Sequence, residues 1–211
     1  MEKLARDDEG QLITRSQRGD VEAFNRLILH YQPIMYSTIF RLLGNYDSAA
    51  DVTQDAFIAA FRAIRTYRGG SSFRAWLLRI GTNMACDYWR KVQRHPTSSL
   101  ETLIENDEPH TTNMLGTLTN TNPEENPEEK ILSQELQRLI QAGLMQLPLE
   151  QRNALILCDI QGSSYEEIAQ ITQTTLGTVR SRISRGRARL REFLQQHKEL
   201  LPKDYRLTNS N

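Results

Sequence analysis

A polar, acidic stretch near the middle of the chain, residues 96–126, restricts which folds the sequence can adopt, because it separates two apolar segments. Thr, Asn, Glu and Pro dominate this stretch, and its apolar residues show no sustained period. Such a composition buries too little apolar surface to become ordered, so we interpret it as a flexible acidic linker. Helical patterns flank it on both sides. We therefore predict an all-α fold of two small helical domains, residues 1–95 and 127–211.

The charge is zero overall but unevenly distributed. Residues 1–95 hold 14 Lys and Arg against 10 Asp and Glu, a net charge of +4. Residues 96–130 carry −7, and residues 131–211 carry +3. Because attraction to phosphate depends on the local patch, two basic blocks joined by an acidic one remain compatible with nucleic-acid binding.

Capping and periodicity predict four helices in the first block. Asp20 is placed to cap the first, Pro33 to start the second and Gly44 to end it. Asp47 is predicted to cap a third helix that runs to about Arg65. A loop at residues 69–72 then precedes a fourth helix, from about Phe73 to Arg94.

The second block shows equally clear boundaries. Asn126 and Pro127 predict a helix start, Pro148 opens a further helix, and Gly162 ends it. A capping box at 164–167 starts a short helix. After a polar turn at 172–175, a last helix is predicted from near Leu176 to about Leu200.

The last two predicted helices have the proportions of a helix-turn-helix. The final helix has an apolar stripe, with Val179, Ile183, Gly186, Leu190 and Phe193 or Leu194. Its other faces carry six arginines within twelve residues, with no acid among them: Arg180, Arg182, Arg185, Arg187, Arg189 and Arg191. Such a cluster repels itself unless an anion screens it, and DNA phosphate supplies that anion. The alternative is a solvated basic face on a surface helix.

The fourth helix combines cations with aromatic rings. Between Arg62 and Arg94 there are eight Lys and Arg against one acid. Arg79, Asn83 and Arg90 lie at helical spacing on one face, with Lys91 beside them. Tyr67, Trp76 and Trp89 are interleaved with these cations, which suits an unpaired nucleic-acid strand. The alternative, that the aromatics are core, is favoured for Phe73 and Tyr88.

On the third helix, Asp51, Gln54, Asp55 and Ile58 form one ridge. Acids four residues apart repel each other, and a cationic partner surface would offset that cost. A favourable interaction with the positive end of the helix explains Asp51 alone, but not the whole ridge.

These motifs resemble the extracytoplasmic-function group of bacterial sigma factors, the smallest members of the family that primes RNA polymerase for initiation. The resemblance covers nearly the whole chain. It is carried in order by GDVEAFNRL, DVTQDAF, YRGGSSFRAWLLRIGTNMACDYWRK, LPLEQRNALILCDIQGSSYEEIAQ and GTVRSRISRGRARLR.

The resemblance implies a role for each surface. The DVTQDAF helix would dock on the clamp coiled coil of the polymerase large subunit through Asp51, Gln54, Asp55 and Phe57. The fourth helix and the loop before it would open and hold the minus-ten element, through Tyr67, Arg68, Trp76, Arg79, Asn83, Arg90 and Lys91. The last helix would read the minus-thirty-five element, through Thr178, Arg180, Ser181, Arg182, Ser184 and Arg185. The acidic linker would pass through the polymerase cleft, and the larger family's intermediate domain is missing.

The resemblance also implies partners and a setting. Core RNA polymerase and promoter DNA are expected partners. An anti-sigma factor, often membrane-bound in relatives, would control the protein in a stress or envelope response. Neither a cofactor nor a small-molecule substrate is expected. The polar, acidic start and the lack of an apolar run of ~20 residues favour a cytoplasmic protein.

The sequence departs from its relatives in the turn of the helix-turn-helix. Relatives often have Gly where this chain has Gln173, and Pro where it has Thr175. Gln at a left-handed position costs about 1 kcal/mol, so we expect a turn of different shape. Relatives also often carry an aromatic residue at Ser184.

Two other classes of protein remain as alternatives. An ordinary helix-turn-helix regulator explains the second domain and nothing in the first. An enzyme of DNA strand exchange needs a nucleophile or a metal site, and the sequence suggests neither. The four His are scattered, and Cys86 and Cys158 are expected to be buried small hydrophobes.

Overall fold

The computed structural model describes residues 6–94 and 127–200, with side chains from 8 to 94 and from 134 to 199. Within these ranges the chain forms eight α-helices and no strand, as the all-α prediction requires. The helices are α1 (Arg6–Gln17), α2 (Val21–Leu43), α3 (Tyr46–Ala63), α4 (Phe73–Arg94), α5 (Pro127–Met145), α6 (Leu149–Leu155), α7 (Tyr165–Thr172) and α8 (Leu176–Gln196). The predicted linker and the Asn126 cap lie outside the described residues.

In the first domain, α2 is the central helix, and it packs against α1, α3 and α4. Its inward face buries Leu27, Met35 and Ile39. The Asp20 carboxylate accepts a hydrogen bond from the Ala23 N–H at 3.0 Å. Gly44 ends the helix in the left-handed conformation, with φ 74°. Both predicted boundaries of this helical segment are confirmed.

The predicted break at Pro33 is wrong, because α2 runs through it without interruption. Proline removes one backbone donor, so the Leu29 carbonyl has no helical partner. Leu29 is 71% exposed, and water can reach that turn. Tyr31 and Met35, on either side of the proline, are buried in the same core, and their packing keeps the two halves in line.

The cap of α3 is Asn45 rather than the predicted Asp47. The Asn45 side chain accepts a hydrogen bond from the Ser48 N–H at 2.8 Å. Asp47 lies in the first turn, where its charge favours the positive helix end. The helix ends at Ala63, and a 3-10 turn at Ile64–Thr66 continues it to the predicted end near Arg65.

In the second domain, α8 packs against α5, α6 and α7. A π-helical turn, Ile156–Ile160, extends α6 toward Gly162, which has φ 65°. The last helix ends at Gln196 and is followed by a 3-10 turn, Lys198–Leu200. The helix-turn-helix therefore lies on a small helical platform formed by α5 and α6.

Candidate nucleic-acid interface

Helices α7 and α8 form the helix-turn-helix. The predicted capping box is present, because the Glu167 N–H donates to Ser164 Oγ at 3.1 Å and the Ser164 N–H donates to Glu167 Oε2 at 3.2 Å. Gln173 takes the left-handed conformation, φ 52° and ψ 46°. The chain therefore accepts the cost of about 1 kcal/mol expected for a side chain at this position.

The buried stripe of α8 determines which face points outward. Val179, Ile183 and Gly186 are buried against the platform, as predicted. None of the six residues expected at the minus-thirty-five element is buried. Arg180, Ser184 and Arg185 are exposed, and Thr178, Ser181 and Arg182 are half-buried. Together they give α8 a continuous polar and cationic surface.

Arg187 differs from the other arginines of α8. Its Nε and Nη2 donate to Asp159 at 3.0 and 2.5 Å, and these hydrogen bonds hold the pKa of the Asp159 carboxyl below its usual value. The expectation that all six arginines need an external anion is therefore wrong for Arg187. The other five have no ion-pair partner among the described residues. We call these five the α8 cationic face.

All four residues of the ridge on α3 are exposed, but one further residue expected at the polymerase contact is buried. Asp51, Gln54 and Asp55 face solvent, and Ile58 beside them is 41% exposed. Phe57 is only 6% exposed and packs in the domain core. We call Asp51, Gln54, Asp55 and Ile58 the anionic ridge.

The outer face of α4 is polar and cationic. Asn83, Arg90 and Lys91 are exposed, and Arg79 is half-buried. Arg90 donates to Asp87 at 3.1 Å and to Glu150 of the second domain at 3.5 Å. Its charge is therefore partly neutralised in this arrangement, whereas Lys91 makes no ion pair within the described residues.

The aromatic residues at the head of α4 pack against one another. The Trp76 ring centroid lies 5.5 Å from that of Tyr67 and 5.4 Å from that of Phe73. Trp76 is only 7% exposed, so its ring is covered in this arrangement, while Tyr67 is half-buried. Tyr88, which we expected in the core, is 36% exposed, and its hydroxyl lies 2.8 Å from that of Ser48.

A cleft of about 720 Å³ lies between α1 and the Gly-rich loop before α4. Glu9 and Gln17 line its α1 side, and Tyr67, Arg68 and Gly69 line its loop side. Gln17 Nε2 donates to the carbonyls of Ile64 at 3.2 Å and Tyr67 at 2.8 Å. The end of α1 therefore holds the start of this loop.

The two domains pack against each other, α4 on α7 and α2 on α5. Arg74, at the head of α4, donates to the Gln161 carbonyl and, at 3.4 Å, to Ser163 Oγ. A second cleft, of about 550 Å³, lies between the domains, and its lining includes Trp76, Arg79 and Gln173. We call this contact the closed arrangement, in which α7 lies over part of the α4 surface.

Arg152 is the buried centre of the closed arrangement. Its Nη1 donates across the contact to the Leu42 carbonyl at 2.6 Å, and its Nη2 donates to the Met145 and Leu147 carbonyls, each at 3.0 Å. The guanidinium lies 4.5 Å from the centre of the Trp89 ring. Burial lowers its pKa to about 10, so the side chain stays charged at neutral pH.

Two family models match the chain, each on one domain. The model of sigma-70 region 2 matches residues 27–95, and the model of sigma-70 region 4 matches residues 137–190. The chain belongs to the sigma-70 family. Together the two matched segments cover more than half of the sequence, including α4 and the helix-turn-helix.

Curated relatives place this sigma factor in the extracytoplasmic-function group. It is 40% identical to the ECF RNA polymerase sigma-E factor of Escherichia coli K12 over 176 residues, 83% of this chain and 88% of that protein. It is 37% identical to the RNA polymerase sigma-H factor of Pseudomonas aeruginosa over 192 residues, 91% of this chain and 96% of that protein.

Solved structures are similar over both domains. One is the sigma factor RpoE in complex with the anti-sigma factor NepR from Bartonella quintana, with TM-score 0.60 and 27% identity over 81% of this chain and 96% of that one. Another is CnrH in complex with the cytosolic domain of CnrY, with TM-score 0.62 and 24% identity over 90% of this chain and 98% of that one. At 24% identity, the similarity to CnrH establishes a shared fold.

Several contacts in this sigma factor were not predictable from its motifs. Gln17, Arg74 and Arg152 all bind backbone carbonyls that are far away in sequence. Cys86 is buried as expected, but Cys158 is half-buried. Among the described residues there is neither a cluster of His, Cys, Asp or Glu that could hold a metal nor a helix long and apolar enough to cross a bilayer.

Proposed function

We propose that this sigma factor divides promoter-specific initiation among three of its surfaces. Residues 1–95 would form the domain that binds core polymerase and the minus-ten element, and residues 127–211 the domain that binds the minus-thirty-five element. The observation that carries the proposal is the separation of charge at exposed positions. One chain presents the anionic ridge on α3 and cationic surfaces on α4 and α8.

The anionic ridge is our candidate for the polymerase contact. Asp51 and Asp55 have no ion-pair partner among the described residues, so their charges are available to a cationic surface. Ile58 adds an exposed apolar group at the end of the ridge. Phe57 would support the ridge from within the core rather than contact the polymerase.

The Gly-rich loop and α4 are our candidates for the minus-ten element. Arg68, Asn83 and Lys91 are exposed and would hold an unpaired strand through its phosphates and one of its bases. The cleft between α1 and the loop is large enough to receive a single base. Trp76 and Arg79 would join this surface only after α7 moves away, because α7 lines the second cleft beside them.

The α8 cationic face is our candidate for the minus-thirty-five element. An α-helix fits the DNA major groove, and arginine recognises guanine through paired hydrogen bonds. Arg180, Ser181, Ser184 and Arg185 would face the bases, and Thr178 and Arg182 the backbone. Arg187 would instead hold α8 on its own domain through Asp159.

Promoter geometry requires the closed arrangement to open. The positions minus ten and minus thirty-five are about 25 base pairs apart, which is about 85 Å of DNA at ~3.4 Å per base pair. Helices α4 and α7 are in contact here, so the two DNA surfaces cannot reach both elements together. We infer that the closed arrangement is the resting form, and that polymerase binding separates the domains while residues 96–126 connect them through the polymerase cleft.

An anti-sigma factor is the control that we propose. The similar RpoE structure contains one, NepR. Such a partner, membrane-bound or soluble, would cover the polymerase-binding surfaces of a cytoplasmic sigma factor until a stress or envelope signal releases it. The protein itself would perform no chemistry, because its work consists of binding two partners.

Transcription with core polymerase from a genomic promoter library tests the proposal. Promoter-specific transcripts are expected, and tight duplex binding by the chain alone would favour an ordinary helix-turn-helix regulator. Changing Asp51 and Asp55 to Lys should abolish core binding, whereas Glu22→Lys, at an exposed position on α2, should not.

The upstream contact is tested with a second set of variants. Changing Arg180 and Arg185 to Ala should preserve core binding and weaken the preference for upstream sequence. Arg138→Ala, at an exposed position on α5 and outside the α8 cationic face, is the matched control. An unchanged upstream preference in the double variant would contradict the assignment of α8.

A further inference from the structure

The loop that borders the larger cleft is held at only a few points. Residues 68–70 are exposed, and Gly69 takes a left-handed conformation with φ 77°. After the loop, the Ser72 hydroxyl accepts a hydrogen bond from the Ala75 N–H at 3.2 Å, which fixes the start of α4. The conformation of residues 67–72, the loop and the two residues before it, therefore depends on how Tyr67 is held.

Gln17 provides that hold from α1. Its Nε2 carries two hydrogens, and it donates to two carbonyls, those of Ile64 and Tyr67, 47 and 50 residues along the chain. Ile64 is the first residue of the 3-10 turn that leads into the loop, and Tyr67 directly follows the last. The Tyr67 hydroxyl in turn donates to the Ser71 carbonyl at 2.8 Å, so the same residue closes the other side of the loop.

Helix α1 is itself fixed to the domain at both ends. Tyr31 of α2 donates a hydrogen bond to Glu9 near its start. In its last turn, Arg15 is paired with Asp20, the cap of α2, at 2.8 Å. Gln17 is therefore a donor on a fixed support rather than a side chain on a loose terminus.

We propose that Gln17 is a positioning residue for minus-ten recognition, which sets the shape of the base-receiving cleft through the Tyr67 carbonyl. The inference rests on the proposed function of the loop. A binding loop discriminates among bases only when its geometry is held, because each misplaced contact costs it specificity. Gln17 would not touch DNA, and it would act through the loop alone.

The substitution Gln17→Glu tests this role, because it replaces the amide with a carboxylate and leaves the shape of the side chain almost unchanged. A carboxylate cannot donate, and it would repel both carbonyls. Gln17→Lys restores a donor group, and Gln32→Glu makes the same chemical change at an exposed position on α2. Each variant is assembled with core polymerase and used to transcribe a library whose minus-ten element is randomised.

We expect Gln17→Glu to reduce the base preference at one minus-ten position about tenfold, with upstream preference and core binding unchanged. Gln17→Lys should recover part of the preference, and Gln32→Glu should match the unchanged protein. An unaltered base preference at the minus-ten element would overturn the role. So would an equal loss of transcription on every minus-ten sequence together with a lower melting temperature, because that result indicates a purely structural effect. If Gln17→Glu does not fold, Gln17→Ala takes its place with the same criteria.

The two proposals fail in different ways. If the unchanged protein gives no promoter-specific transcripts, the proposed function fails. If it gives them and the Gln17 variants keep its minus-ten profile, only the positioning role fails.

Discussion

Removing Arg74 weakens the closed arrangement without removing a hydrogen bond inside either domain. Among the described residues, its guanidinium donates only across the contact, to the Gln161 carbonyl and the Gln161 and Ser163 side chains. A hydrogen bond from a charged group contributes about 1.5–3 kcal/mol. Because Arg74 is half-buried, we use the lower value. Arg74→Ala should then raise the open fraction about tenfold, since ~1.4 kcal/mol corresponds to a factor of ten.

The buried thiol of Cys86 reports this opening. It lies on α4, and its Sγ is 4.0 Å from Asn153 Nδ2 of the second domain. Burial raises the pKa of the Cys86 thiol to about 11, so it reacts slowly while the domains are closed. With Cys158 replaced by Ala, Cys86 is the only thiol in the chain. The rate of its modification by a thiol reagent should rise about tenfold in Arg74→Ala.

Arg62→Ala is the matched control, because Arg62 is an exposed arginine on α3 that makes no hydrogen bond to the part of the second domain that the structure describes. Its modification rate should equal that of the parent protein. Melting curves of all variants would show that both domains stay folded. Equal rates in Arg74→Ala and the parent would refute the reasoning, because Cys86 would then be exposed by local fluctuation rather than by domain separation.

Two further predictions concern stability. A methyl group added at Gly81 would overlap the sulfur of Met35, whereas one at Gly186 would meet nothing closer than 3.4 Å. Gly81→Ala should therefore destabilise the protein by about 1–3 kcal/mol in urea titrations, and Gly186→Ala should be neutral or stabilising by up to ~1 kcal/mol. Arg187 lowers the pKa of Asp159 in the folded state, so this pair stabilises the protein above the ordinary carboxyl pKa of 3.8 and loses its effect as pH falls through the folded value. Both side chains are more than a third exposed, so Asp159→Asn should cost at most ~1 kcal/mol at pH 7 and less as the pH falls through the folded pKa. A cost that does not fall with pH would contradict the assignment.

The sequence predicted helix bounds well where the capping residues and the apolar periodicity indicate the same helix. Helix α4 has the predicted bounds, and the capping box at Ser164 is formed. Helix α1 was missed, because Leu12 is its one fully buried apolar residue and its periodicity is weak. It is held by contacts with α2, which no local pattern encodes. The continuity of α2 through Pro33 likewise depends on the core beneath it.

The outward faces of α3 and α8 were predictable, because helical spacing fixes which side chains share a face. The contacts that hold these surfaces in place were not. Gln17 and Arg152 bind carbonyls of Tyr67 and Leu42, and a backbone carbonyl has no sequence signature. The burial of Trp76 depends on which rings and which helix cover it, and that is known only once both domains are placed.

The domain contact combines apolar packing with hydrogen bonds from two arginines. Apolar residues of both domains belong to one buried cluster, and Arg74 and Arg152 donate to carbonyls across the contact. When the domains separate, Arg152 keeps its hydrogen bonds to the Met145 and Leu147 carbonyls, which belong to its own domain. The Leu42 carbonyl, in the last turn of α2, becomes accessible to water. Opening therefore costs Arg152 one of its three carbonyl contacts and leaves the other two in place.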